Sequence, residues 1–283
     1  MSDQRFRRVN AGQGHSYTLD GHRIPGVTTV TGVLNKPGLV YWAANTTAEY
    51  AVENWDHLSA LPPIPRFQEM QRARELSMKK AADQGKRVHA LAERLAHGET
   101  VEPPPEIERQ VTAAAEFLDR WEFETIATEA PVCNLEYRYG GTLDLLVTSD
   151  RFGTSLMDWK TGKGVYDDFS LQQAAYRYAD LMLREVPQVG PRGGRKPSLW
   201  VEEPLPSIDS VLIAHVVGDT VDLHPIVADG EIFDVFLYCL ELYERWIKRT
   251  DWKHKSEPQF SPTIGDPIYP EDDLTIEGFP THD

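Results

Sequence analysis

Residues 126–160 constrain the fold more than any other stretch. IATEAPVCNLEYRY, GTLDLLVT and TSLMDWK are three apolar segments, separated by Gly140-Gly141 and by the turn-like SDRFG at 149–153. That pattern predicts a β-meander. Three helical stretches precede it, at 39–59, 67–97 and 106–121, with proline breaks between them. In the last of these Ile107, Val111, Ala114, Leu118 and Trp121 fall on one stripe. After the meander come a predicted helix from Asp168 to Leu183, a Gly/Pro/Arg loop, and strand-like segments at 208–217 and 221–227. A last helix carries Ile232, Val235, Phe236, Leu242, Tyr243 and Trp246 at helical spacing. Helix, three strands, helix, strand is an α+β arrangement, with helices packed on a mixed sheet. Upstream, His15–Val33 turns at Gly21 and contains the β-branched run VTTVTGV, which predicts two strands in a small hairpin.

The meander also brings chemistry together. Side chains two apart on a strand share a face, so Asp158 and Lys160 project together while Met157 and Trp159 point the other way. Placing Asp144 opposite Asp158 in an antiparallel hairpin centres the turn on residue 151, inside SDRFG. Two carboxylates would then stand about 5 Å apart between Cβ atoms. Like charges that close are costly unless a cation lies between them. Carboxylate oxygens select a hard ion, Mg²⁺ or Mn²⁺, over zinc. A lysine beside such an ion can orient water or stabilise developing charge, which is the equipment of phosphodiester hydrolysis. The plainer reading of the same residues is an interstrand salt bridge.

Gly141, Asp144, Asp158, Lys160, Gln172 and Tyr176 form G-x-x-D, then D-x-K at a strand end, then Q-x-x-x-Y on a helix. This combination resembles the PD-(D/E)XK nuclease superfamily, in its RecB-like exonuclease branch, most closely over residues 129–183. The resemblance implies a restriction-endonuclease-like αβββαβ core, here with an N-terminal hairpin and helical additions. It implies a single nuclease domain over 1–255: hairpin and helices in 1–123, catalytic core in 124–227 and C-terminal helix in 228–255. GKRVHALAE at 85–93 is similar to the helix motif that supplies a metal-ligating histidine in RecB-like proteins, here His89, with Glu93 and His97 on the same stripe. By this resemblance His89, Asp144 and Asp158 hold the metal, and Lys160, Asp144, Asp158, Gln172 and Tyr176 form the catalytic set. Glu93 and Glu129 are supporting acidic candidates. Gln172 and Tyr176 are expected to approach the metal site and the DNA backbone; the plainer alternative is a hydrogen bond on the helix surface. The activity implied is a Mg²⁺- or Mn²⁺-dependent exonuclease on linear DNA in phage-type recombination, replication or end processing. A single-strand annealing or recombination protein is the partner such enzymes imply. An endonuclease of the same fold, a non-catalytic DNA-binding subunit and a phosphatase acting on small substrates are the alternatives.

Composition trims these options. Cys133 and Cys239 cannot supply the four thiolates of the iron–sulfur cluster that some relatives carry. No G-x-x-x-x-G-K-[ST] pattern occurs, so no nucleotide cofactor is expected. No apolar run approaches the roughly 20 residues of a membrane span. The expectation is a cytoplasmic protein, in the host cytoplasm if phage-encoded.

A formal charge of −15 argues against a wholly cationic DNA-binding surface. The charge is segmented, however. Residues 66–94 hold eight basic and four acidic side chains, whereas 197–244 hold ten acids and no Lys or Arg. The tail from 256 to 283 adds seven acids among its prolines and reads as extended and partly disordered. The expectation is a local, salt-sensitive DNA groove lined by Arg72, Lys79, Lys86, Arg87, Arg192, Arg195 and Lys196.

Overall fold

The computed structural model of the protein describes residues 4–11, 14–189 and 195–248. In chain order, β1 (Phe6–Ala11), β2 (Gly14–Leu19) and β3 (His22–Ile24) lead into α1 (Val27–Thr31), α2 (Pro37–Glu53), α3 (Trp55–Ala60), α4 (Pro63–Ala96) and α5 (Glu108–Trp121). Then come β4 (Glu124–Asn134), β5 (Tyr139–Ser149), β6 (Gly153–Lys160), α6 (Asp168–Arg177), β7 (Leu181–Val189) and β8 (Arg195–Pro204). The chain continues through β9 (Ser210–Val217), β10 (Thr220–Pro225) and α7 (Gly230–Leu242), which runs into a π turn over Tyr243–Ile247.

The fold is α+β. A mixed sheet of order β10-β9-β6-β5-β4-β7-β8 forms its centre, and β1-β2-β3 make a small separate sheet. Neighbours in the large sheet are antiparallel except β6 and β9, which run parallel. Strand alternation gives the sheet two buried faces. Leu146 and Leu156 pack with α1, α6 and α7 through Val30, Ala174, Tyr176 and Phe236. Leu145, Val147, Met157 and Trp159 pack on the opposite face with Ala92 of α4 and Ala114 and Phe117 of α5. Met157 and Trp159 therefore do turn away from the face of Asp158. Val111 and Ala114 of the α5 stripe are fully buried, and Leu118 and Trp121 are partly so. No helix among the described residues is long and apolar enough to cross a membrane.

Four expectations require correction. VTTVT is not a strand but helix α1, because Val27, Val30 and Thr31 stand at helical spacing and are buried; packing against α6 and α7 outweighs β propensity. Gly140 and Gly141 do not separate strands but lie within β5. The chain reverses at 135–138 instead, where Asn134 Oδ1 accepts the Tyr137 N–H at 2.7 Å and Arg138 takes φ 54°. The glycines allow close approach: a Cβ on Gly140 would meet the Tyr17 ring at 2.9 Å. The helix expected to reach Leu183 ends at Arg177, and Met182 belongs to β7, paired with Val132 of β4. The Gly/Pro/Arg segment joins two strands, β7 and β8, that form an antiparallel hairpin; residues 190–194 lie outside the described residues, as does the acidic tail.

Candidate active site

The β5–β6 register runs from Leu145 opposite Met157 to Ser149 opposite Gly153. Extended by one step, it sets Asp144 against Asp158, as the turn centre predicted. The β5–β6 pairing itself ends at Leu145. The β4–β5 ladder passes from Thr128 opposite Leu145 to Ala130 opposite Leu143, skipping Glu129 and Asp144. Glu129 has φ 44°, in the left-handed region that a non-glycine residue seldom occupies. Leu143 and Leu145, two apart, consequently sit in different core clusters. The opening in the ladder frees both acidic side chains from strict alternation at one point of the sheet.

Helix α4 supplies the imidazole. Gly85 lets the helix pass close to Thr161, where a Cβ would lie 3.1 Å from Thr161 Oγ1. One turn on, His89 Nδ1 stands 3.2 Å from Asp144 Oδ2. The same stripe continues along β4: Thr128 Oγ1 donates to Glu93 Oε1 at 3.1 Å and lies 2.6 Å from His97 Nε2. Asp144 is fixed a second time by the Trp159 N–H, which donates to Oδ2 at 3.2 Å. Lys160 Nζ pairs with Asp158 and lies 4.8 Å from the centre of the Phe169 ring.

Electrostatics divide the acids. Burial raises Asp144, but His89, Lys160 and the Trp159 N–H together outweigh it, so its carboxyl titrates below the ordinary range. Asp158, 1% exposed, is pushed up to about 7 by burial and then by Asp144. Glu129 also rises to about 7, through burial, Asp144 and Glu93. Burial lowers His89, yet its bond to Asp144 and the nearby charges leave it raised.

A raised carboxyl contributes stability below its unfolded pKa, and this is lost as pH climbs through its folded value. In chelator, Asp158→Asn should therefore match the parent near pH 4 and melt higher than it near pH 8. Melts of both proteins across that range check the sign. Equal melting temperatures throughout would mean that Asp158 carries no burial cost.

Among the described residues, no three His, Cys, Asp or Glu side chains converge on one point; His89 and Asp144 are engaged with each other. The donors still suit a hard divalent ion. Oδ1 of buried Asp158 accepts no hydrogen bond, and Oδ2 is engaged by the Lys160 ammonium. An imidazole and two carboxylates form the donor set.

Gln172 and Tyr176 do meet, with Gln172 Nε2 donating to the Tyr176 hydroxyl at 3.1 Å. Tyr176 is not on the helix surface, however. It is 2% exposed, packs over Gly141, and is held as a neutral phenol by burial. It seats α6 on β5 and lies near enough to Asp144 and Asp158 to feel their charges.

Of the predicted basic groove, the four residues on α4 fall among the described side chains. Arg72, Lys79, Lys86 and Arg87 are exposed on α4, and Lys79 and Arg87 line a groove of about 390 Å³ with Lys80 and Ile107. That groove shares no residue with the larger cleft beside Glu93 and Glu129. Arg192 lies outside the described residues, as do the side chains of Arg195 and Lys196, whose backbone begins β8.

Sequence reasoning missed Arg8, which β1 carries to within 3.8 Å of Glu129, and Tyr17, whose hydroxyl is 2.8 Å from Thr142 Oγ1. No local pattern signals either one, because both act through a sheet distant in sequence. Compared with known proteins, the chain matches no family model and no curated sequence significantly.

Proposed function

We propose that the protein is a Mg²⁺- or Mn²⁺-dependent deoxyribonuclease of the PD-(D/E)XK type that degrades linear DNA from an end. The observation that carries this reading is the pairing of His89 with Asp144 beside that of Lys160 with Asp158, a carboxylate that is 1% exposed and whose Oδ1 accepts no hydrogen bond. The order α5–β4–β5–β6–α6, followed after the inserted β7–β8 hairpin by β9 parallel to β6, supports a restriction-endonuclease-like core. A surface salt bridge accounts less well for a carboxylate that is 1% exposed.

In this reading His89, Asp144 and Asp158 hold the cation. When bound, the ion neutralises charge on the scissile phosphate and lowers the pKa of water. The protein's own groups position the rest. The Trp159 N–H holds Asp144 in place, and the Phe169 ring and Asp158 hold the Lys160 ammonium in position beside β6. There Lys160 can donate to the attacking water or to a phosphate oxygen as charge develops.

Incubating end-labelled linear DNA beside a closed circular control, with Mg²⁺ or with chelator, tests the proposal. The expected result is Mg²⁺-dependent loss of linear DNA with the circle intact. Cutting of the circle would make the enzyme an endonuclease, and survival of both substrates would reject nuclease activity.

A further inference from the structure

Next to the acidic cluster opens a cleft of about 910 Å³, between β1, the end of α4, β4 and the β7–β8 hairpin. We infer that this cleft receives a short single-stranded segment of DNA beside the bond to be cut, with Arg8 on a phosphate and Trp200 against a base. The inference rests on the deoxyribonuclease reading and adds to it the form of the substrate.

Position, size and chemistry agree. Glu93 and Glu129 belong both to the cleft wall and to the cluster around Asp144, so a strand lying in the cleft is delivered to the site. The volume falls within the roughly 300–1,000 Å³ of pockets for small organic ligands. It suits a few nucleotides of one strand. On the wall, Arg8 Nε is buried without a hydrogen-bond partner, and the guanidinium's nearest carboxylate, Glu129, is 3.8 Å away. A guanidinium so loosely engaged retains donors for the paired oxygens of a phosphate. Arg184, also on the wall, is instead tied to Glu203 at 2.8 Å, which leaves Arg8 and its exposed neighbour Arg7 as the guanidinium groups there, and of these Arg8 is the one beside Glu129.

Apolar surface for bases comes from Trp200 and from Ile126. The latter is the residue that the β4 irregularity leaves unpaired between Thr125 and Ala127, and it is 42% exposed. Gln188 and Ser198 add neutral hydrogen-bonding groups. Cation, stacking surface and neutral polar rim are the components of single-strand binding without strict sequence preference.

The test uses the full chain and a fluorescein-labelled oligothymidylate, with a blunt duplex of equal length as control, both in chelator. Arg8→Gln and Trp200→Ala should each weaken single-strand binding by about tenfold or more, with the duplex affected less than twofold. Arg8→Gln should also lower the salt slope by about one. Ile126→Glu changes an exposed position, so it reports on the cleft even if Trp200→Ala fails to fold. On DNA with a single-stranded tail, KM should rise in these variants more than kcat falls. If the parent digests linear DNA and Arg8→Gln and Ile126→Glu bind and digest like it, the cleft assignment is wrong and the nuclease reading stands. If the parent leaves linear DNA intact in both Mg²⁺ and Mn²⁺, the nuclease reading fails, and parent affinity for oligothymidylate no tighter than for duplex then overturns the cleft as well.

Discussion

Lys160→Ala should slow hydrolysis of linear DNA by about 100- to 1,000-fold at saturating Mg²⁺, the usual cost of removing one preorganised donor from developing charge. The lysine is well placed for so large an effect. Its side chain is 18% exposed, and its ammonium is paired with Asp158 and set over Phe169, so it is held in position before substrate arrives. Its removal also deprives buried Asp158 of its nearest cation, which should push that carboxyl further up and weaken divalent binding. The two consequences separate experimentally. A Mg²⁺ titration reports the loss of metal affinity, and single-turnover digestion at saturation reports the loss of the donor. DNA binding should survive, because the cleft wall does not include Lys160. Unchanged single-turnover rates would remove Lys160 from the mechanism, and with it the main reason to read this constellation as catalytic.

What the sequence disclosed and what it hid follow one physical division. The β5–β6 register, which ends at Leu145 opposite Met157 and so brings Asp144 near Asp158, was legible because a hairpin's register depends on its own turn. The stripe of His89, Glu93 and His97 was legible because helical spacing is local, and β4 accepts it through Thr128. The hidden parts depend on partners far along the chain. β7 is a strand because it pairs with β4 and β8, although its first residues continue a helical pattern. Val27–Thr31 is helical because α6 and α7 offer it an apolar seat. Arg8 reaches Glu129 only because β1 crosses from a separate sheet. The left-handed Glu129 and the skipped rung at Asp144 had no local signal either, and that distortion sets the geometry of the acids. Composition likewise predicted cationic segments, but their helical phase distributes Lys79 and Arg87 to a groove apart from the site.

Gly141→Ala should be among the most disruptive small substitutions in the protein. A Cβ at this position would lie closer than 3.0 Å to Tyr176 Cε1 and 3.1 Å from Val27 Cγ2. The obstacle is the middle of a buried ring, not the end of a flexible chain. Tyr176 is also constrained by its bond to Gln172, and Val27 by burial at 1% exposure. Relief therefore requires α6 or α1 to move off β5. Overpacking of this kind costs about 1–3 kcal/mol, and a thermal or denaturant melt should register it. Strand β5 transmits the effect, since Gly141 precedes Asp144 by three residues on it; activity should fall at temperatures where the variant is still folded. Tyr176→Leu provides the discriminating background. If the ring is the obstacle, adding Gly141→Ala to Tyr176→Leu should cost less than adding it to the parent, a non-additivity of the sort expected for residues in direct contact. Strictly additive losses would show instead that the glycine is required by the strand itself, and that the seating of Tyr176 on β5 does not position the acids.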